Sequence, residues 1–289
     1  MREGVLMNRK TAINEAESKS SSDRRTNIIG AREVSYAVPI APDHNSIHST
    51  NGLFWDEKGN DVIGTTSLPQ WGGFLSEEKC HLFGDLSGKK VLEIGCGKGQ
   101  SLVYQHLHGA EELWGIDISK GQIEKAGQNL AFHDAQAKLI CASMEEECGI
   151  PVNYFDYVYS VYGIGWAMDL EETFRKIASY LKAGGTFIFS WSHPIHKCVA
   201  YENDNLIFKK SYFDESWYSV NLDGGTFCLA DRKLSTYINA LTKAGLIIEE
   251  LVEESDDEMI KACQNDFAKK AKMLPVTFVI KARKLGEGN

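Results

Sequence analysis

Three glycines set two residues apart, with one carboxylate just before them and another at the end of the next apolar run, are the residues of this 289-residue chain best suited to chemistry. The segment Val91-Leu-Glu-Ile-Gly-Cys-Gly-Lys-Gly99 runs from an apolar strand into Gly95, Gly97 and Gly99 and then into a helix. Glycine tolerates positive φ and lets backbone approach a ligand closely, and the carboxyl edge of a central strand is where open α/β sheets bind ligands. A nucleotide-like cofactor is implied. The dinucleotide fingerprint requires G-x-G-x-x-G, whereas here Gln100 stands where the third glycine belongs and Gly99 comes one residue early, which argues against a nicotinamide dinucleotide. Asp117, about 20 residues on, closes the next strand, where a carboxylate accepts from ribose hydroxyls or, in the plainer reading, caps a helix. Glu93 is ill placed beside a pyrophosphate but suits a ligand with positive charge, an ammonium or a sulfonium.

A second group of reactive types lies farther along. Ser190-Trp-Ser-His-Pro-Ile-His196 delivers His193 to the end of a strand, where an imidazole with an ordinary pKa of about 6.5 could act as a base; a hydrogen-bonded structural residue before Pro194 is the alternative. His196, His44 and His48 read as solvent-facing. His193, His196 and Asp214 have no metal-ligand spacing, so no metal is assigned. Tyr162, Trp166, Trp191, Tyr212, Phe213 and Trp217 could wall a pocket or simply pack.

The elements that must position these groups follow from periodicity. Strands are expected at Val91–Ile94, Leu113–Ile116, Lys138–Cys141, Tyr154–Ser160, Thr186–Trp191, Leu246–Glu250 and Val276–Ala282, with helices at Ser101–Leu107, Lys120–Leu130, Leu170–Leu181 and Lys233–Ala244. Apolar runs alternating with amphipathic stretches denote a mostly parallel sheet covered by helices. Residues 1–35, rich in Ser, Asn and charge, read as a mobile N-terminal arm, and residues 36–84, crowded with aromatic, Gly and Pro signals, as a cap. The domain proper spans 85–289 and includes an irregular insertion, 193–230, long enough to be a functional lid.

With those residues in place, Glu93-Ile-Gly-Cys-Gly-Lys-Gly99 resembles motif I of the class I S-adenosylmethionine-dependent methyltransferases. Gly115-Ile-Asp-Ile-Ser119, Phe155-Asp-Tyr-Val-Tyr-Ser160 and Leu181-Lys-Ala-Gly-Gly-Thr-Phe187 are similar to that family's later motifs, in order, across Val91–Trp191. The resemblance implies a Rossmann-like, doubly wound, seven-stranded α/β sheet whose last strand is antiparallel beside the fifth. It also implies S-adenosyl-L-methionine as cofactor. By position, Gly95, Cys96, Gly97 and Gly99 would lie along the methionine moiety with Glu93 near its charge. Asp117 would hold the ribose, Ile118 would pack on adenine, Ser143 and Met144 would lie beside the ring, and Ser160 and Val161 near the sulfonium. Many relatives have Asp where Ser143 stands, which passes adenine recognition to Met144, Glu145 or backbone. The family's Asn/Asp-Pro-Pro-aromatic signature for amide-like acceptors is replaced by Val161-Tyr-Gly-Ile-Gly-Trp-Ala-Met168. An apolar floor for a small acceptor is then expected, with Tyr162, Trp166 and Tyr212 contacting it. The His-Pro pair and Tyr212-Phe-Asp-Glu215 resemble a bacterial small-molecule subgroup.

Composition narrows the partners. Lys plus Arg total 31 against 40 Asp plus Glu, a formal charge of -9, so a general phosphate-binding surface is not expected and nucleic acid is a minority partner. Hydrophobic residues at 43% and charged at 25% exclude collagenous or fully disordered chains. No apolar run reaches the ~18 residues of a membrane span, and seven cysteines without a C-x-x-C pair fit no disulfide framework, so a cytoplasmic protein is expected. The pattern fixes no oligomeric state. The functional expectation is methyl transfer to O, N or S of a small metabolite, the alternatives being RNA or protein methylation or a noncatalytic cofactor-binding module.

Overall fold

The computed structural model describes residues 25–29, 32–263 and 265–286. Along the chain, β1 (Arg25–Ile29) and β2 (Arg32–Pro39) form an antiparallel pair, followed by helix His44–Glu57, a short helical turn Gly59–Val62, and a hairpin of β3 (Gln70–Gly72) and β4 (Leu75–Ser76). Then come β5 (Lys90–Ile94), β6 (Glu112–Asp117), β7 (Lys138–Cys141), β8 (Phe155–Val161) and β9 (Leu181–Ser192), separated by helices Gln100–Leu107, Lys120–Phe132 and Leu170–Tyr180. Helix Pro194–Cys198 leads into two hairpins, β10 (Val199–Glu202) with β11 (Asn205–Phe208) and β12 (Trp217–Leu222) with β13 (Gly225–Ala230). Helix Leu234–Lys243, β14 (Leu246–Val252), two short helices and β15 (Thr277–Lys284) complete the chain.

The main sheet has the order β14-β15-β9-β8-β5-β6-β7, with β15 antiparallel to both neighbours and the pairs from β9 to β7 parallel. This is the expected doubly wound, seven-stranded α/β sheet, its strands within a few residues of the boundaries read from periodicity. Side-chain alternation explains its two covered faces. On β9, Phe187 and Phe189 point into one apolar cluster with Leu92, Phe174 and Phe278, while Ile188 between them joins Val91, Leu102, Tyr159 and Val279 on the other face. Helix Leu170–Tyr180 shows how local chemistry sets an element. Asp169 caps its start by accepting from Glu172 N at 2.9 Å, Glu171 and Glu172 lie in the first turn, and Leu170, Phe174, Ile177 and Ala178 form its buried stripe.

Two expectations change. Residues 1–24, most of the proposed arm, lie outside the described residues, but 25–29 and 32–39 are strands, and β2 pairs with β12 to make a four-stranded sheet β1-β2-β12-β13. The 193–230 insertion is not irregular. Its aromatic and β-branched residues alternate across hairpins: Tyr218, Val220, Phe227 and Leu229 are buried in the core cluster of the sheet. Their turns, rich in Asn, Asp and Gly, had masked the strands between them.

The cap is held by polar side chains that finish backbone bonds of neighbouring elements. Asn51, buried on helix His44–Glu57, donates from Nδ2 to Cys228 O at 2.9 Å and accepts from Cys228 N at 2.8 Å, binding the helix to β13. Asp56 at the end of that helix accepts from Ser119 Oγ at 2.5 Å and from Gly121 N at 2.9 Å. Ser119 Oγ in turn accepts from Gln122 N at 3.0 Å. Helix Lys120–Phe132 is therefore capped jointly by its own Ser119 and by the cap helix. Asp56→Ala should lower the denaturant midpoint by the equivalent of about 1–2 kcal/mol at unchanged slope; an unshifted midpoint would show that the cap is anchored elsewhere.

Candidate active site

The glycine turn is pinned by the strand that follows it. Gly95 N and Cys96 N both donate to Ile116 O, at 2.8 and 3.0 Å, and Gly97 N donates to Asp117 Oδ2 at 2.9 Å. The other oxygen, Asp117 Oδ1, accepts from Ser119 N at 2.9 Å. Gly95, Gly97 and Gly99 have φ of 72°, 50° and 72°, conformations that a side chain would strain. Their surroundings differ. A Cβ on Gly97 would meet nothing nearer than Gln122 Oε1 at 4.0 Å, so its backbone lies bare. A Cβ on Gly99 would press on Ala126 Cβ at 3.1 Å. Gly99 thus serves the approach of two helices and, contrary to the expectation for it, does not border the cavity.

That cavity lies over the carboxyl edge of β5, β6 and β9 and offers ≈ 220 Å³ to the centre of a water molecule, against the ~10–15 Å³ that one water needs. Of the residues expected at the site, Glu93, Gly95, Cys96, Gly97, Asp117 and Ile118 border it on one side, with Ser143 and Met144 adjoining and Val161, Tyr162 and Trp166 opposite. Four expected residues do not border it. Besides Gly99, Ser160 is buried and donates from Oγ to Ile94 O at 2.7 Å, closing β8 onto β5. Tyr212 turns its hydroxyl to Leu234 N, accepting at 3.1 Å at the start of helix Leu234–Lys243.

The fourth, His193, is committed to structure. Its Nδ1 accepts from Ile195 N at 3.1 Å, capping helix Pro194–Cys198, so the ring proton sits on Nε2, 2.6 Å from Glu253 Oε1. Neither nitrogen is left to take a proton from an acceptor. Burial lowers its pKa, opposed by Glu253. The spacing before Pro194 announced a residue at the strand end, but only the fold shows its ring turned towards Glu253.

Residues that the sequence did not single out complete the walls. His48, expected in solvent, borders the cavity and pairs through Nε2 with Glu145 Oε2 at 2.8 Å. The Glu145 hydrogen bond outweighs burial and raises the His48 pKa, while the His48 and Asp169 contacts hold Glu145 low against its own burial. His44 is exposed as expected, but His196 is 1% exposed and lies against the Phe267 ring. Trp55 from the cap packs edge-on to Trp166, centroids 5.3 Å apart, and Trp166 meets Trp191 at 6.1 Å. Gly165 makes this wall possible: a Cβ there would fall 1.8 Å from the Trp191 ring. Tyr162, at φ 55°, is anchored by a 2.7 Å bond between its hydroxyl and Thr277 Oγ1. Lys197 and Leu229 close the far end.

Glu93 is 2% exposed, and burial lifts its pKa well above the usual range although hydroxyls of Ser101 and Tyr159 bond to it, the latter at 3.2 Å. A cation beside it would relieve that penalty. Asp117 is likewise raised by burial and by Asp56, and each of its oxygens keeps a lone pair beyond the bond to backbone. Gln122 Oε1, buried and without a partner among the described residues, borders the same space. Bare glycine backbone, a carboxylate for two hydroxyls and a buried acid for a cation fit an adenosyl sulfonium cofactor.

Comparison with known proteins agrees. Residues 92–189 match the family described as "Methyltransferase domain". Residues 92–189 thus carry a methyltransferase domain. A Haemophilus influenzae protein of no assigned function is 28% identical over 216 residues, 71% of this chain and 84% of that one. The malonyl-[acyl-carrier protein] O-methyltransferase of Anoxybacillus flavithermus is 32% identical over 38% of this chain, which spans only 44% of that enzyme. An S-adenosylmethionine-dependent methyltransferase structure from Mesorhizobium loti shares the fold, with a TM-score of 0.62 at 23% identity, over 71% of this chain and 95% of that one. These likenesses, with the fit of the site, support an S-adenosylmethionine-dependent enzyme.

Two measurements check these assignments. His193→Ala should cost about 1–2 kcal/mol of stability through loss of the cap and leave affinity for S-adenosylhomocysteine intact; a fully stable variant without turnover would return the residue to catalysis. For His48, a folded pKa above 6.5 means that the ion pair contributes fully below that value and is lost as pH rises through the higher one. Titration of the ring by NMR should show that upward shift and its disappearance in Glu145→Gln.

Proposed function

We propose that this enzyme methylates an O, N or S atom of a small metabolite enclosed between the cap and the β12–β13 hairpin. The observation that carries this reading is the continuity of the cavity, from the glycine and carboxylate edge to a wall of Trp55, Trp166, Trp191 and Leu229. Glu93 would face the positive charge of the cofactor, Asp117 its ribose, and Ile118 and Met144 the two faces of its adenine, with Ser143 and Glu145 at the ring edge. Bound there, S-adenosylmethionine supplies an electrophilic methyl group. The remaining work is the protein's: to hold a nucleophile in line at about 3–3.5 Å and to keep water out. The tryptophan wall and Tyr162, fixed through Thr277, do both by shape. With His193 engaged elsewhere, it is not the base for the acceptor's nucleophile.

A net charge of -9 speaks against RNA. No helix among the described residues is long and apolar enough to cross a membrane. All seven cysteines are unpaired, in keeping with a reducing compartment such as the cytoplasm.

Calorimetry should show S-adenosylhomocysteine binding that Asp117→Ala and Gly97→Arg each weaken by roughly a hundredfold. Because burial keeps Glu93 protonated to higher pH while a cationic ligand favours its ionised form, affinity for S-adenosylmethionine should rise as pH rises through the elevated Glu93 pKa and become flat in Glu93→Gln. Methyl transfer into a small-molecule extract and none into bulk tRNA is the expected specificity; salt-sensitive activity on tRNA would overturn it.

A further inference from the structure

We propose that the methyl acceptor carries a carboxylate, which the Lys197 ammonium binds at the aromatic end of the cavity. This rests on the small-molecule reading above and names the substrate class within it. Charge is segregated along the edge of the sheet. The acids that border the cavity, Glu93, Asp117 and Glu145, lie on β5, on β6 and in the turn after β7. At the β9 end the charged residue bordering it is Lys197, beside Trp191 and Ser192.

Helix Pro194–Cys198, capped by His193, fixes the position of Lys197. The side chain is 5% exposed, with Nζ 2.5 Å from Asp231 Oδ1, 3.2 Å from the Tyr218 hydroxyl and 6.0 Å from the Trp191 ring centroid. An ammonium has three N–H donors; among the described residues Asp231 and Tyr218 take two, and one remains. Asp231 is also bound by Lys210, and the pull of the two lysines overrides burial to hold its carboxyl at about 2. One carboxylate divided between two ammonium groups neutralises Lys197 only in part. Desolvating an ammonium is costly, and an incoming carboxylate would answer both the open donor and the residual charge. The walls beside it, Trp55, Trp166, Trp191 and Leu229, are flat and apolar, so the rest of the ligand is an aromatic or similarly flat body. A single ammonium suits a monoanion better than a phosphate dianion. Asp231 and Tyr218 are positioning residues, holding the ammonium without meeting the ligand.

The test is calorimetry on protein saturated with S-adenosylhomocysteine, titrated with benzoate, phenylacetate and indole-3-acetate and with the amide of each. At least one acid should bind roughly tenfold or more tightly than its amide, and Lys197→Met should bind S-adenosylhomocysteine as the unaltered protein does while losing that preference. Equal affinity for acid and amide, binding of none of the six, or a preference that survives in Lys197→Met would each overturn the proposal. If Lys197→Met does not fold, the acid and amide comparison on the unaltered protein decides alone. Failure of S-adenosylhomocysteine itself to bind would instead strike the cofactor assignment.

Discussion

The carboxylate of Asp117 holds two successive turns together, and the site is arranged around it. One oxygen receives Gly97 N from the loop after β5, the other Ser119 N from the turn after β6. Both loops leave parallel neighbours at the same edge, so their N–H groups would otherwise point at the space where a ligand must come. A carboxylate shared between them sets the curvature of the glycine turn before any ligand binds, and Asp117 itself borders the cavity. In the proposed function the same group is both scaffold and binding residue. Burial and the nearby Asp56 raise its pKa, a tension that hydroxyl donors from a ribose would ease.

The cap is coupled to that edge through single polar side chains. Asp56 completes the N-terminus of the helix after β6, Gln122 donates from Nε2 to Trp55 O at 3.0 Å, and Asn51 finishes the backbone of β13. Leu68 N donates to Ser101 Oγ at 3.1 Å, and Ser101 bonds in turn to Glu93. Each link ties a cap residue to an element that borders the cavity. Cap, hairpin and sheet thus border one space, and movement of the cap would alter the surroundings of Glu93 and Asp117 together.

Charge buried on both sides of this cavity is the chief cost of the arrangement. Glu93 is bonded by the hydroxyls of Ser101 and Tyr159 and stands near the Asp117 carboxylate, whereas Lys197 is accompanied by a carboxylate that it must share. Ion pairs of this kind seldom add net stability. Their placement at opposite ends of one apolar cavity is understandable as recognition of two ligands of opposite local charge, the cofactor's cation and the acceptor's anion.

How much of this could be read without coordinates depended on whether the signal was local. Strand–glycine–helix chemistry at 91–99, the apolar alternation of β5 to β9 and the acid at Asp117 are short-range patterns, and they determined the sheet, its winding and the cofactor edge. Gly99 and Ser160 fell on those same patterns, yet their use is internal, one making room for Ala126 and the other bonding Ile94 O. Periodicity cannot tell a glycine that meets a ligand from one that meets a helix. The hairpins of the insertion were hidden because turn residues interrupt strands of only four to six residues, and β2, the partner of β12, lies more than 170 positions earlier in the chain. The direction of the His193 ring, the pairing of His48 with Glu145 and the meeting of Lys197 with Asp231 are contacts between segments distant in sequence. The sequence by itself determined the fold and the cofactor's edge, because backbone conformation and hydrophobic period are encoded within a few residues. Tertiary structure alone decided which polar groups face the cavity, because that depends on where each long-range partner stands to claim a donor, an acceptor or a charge.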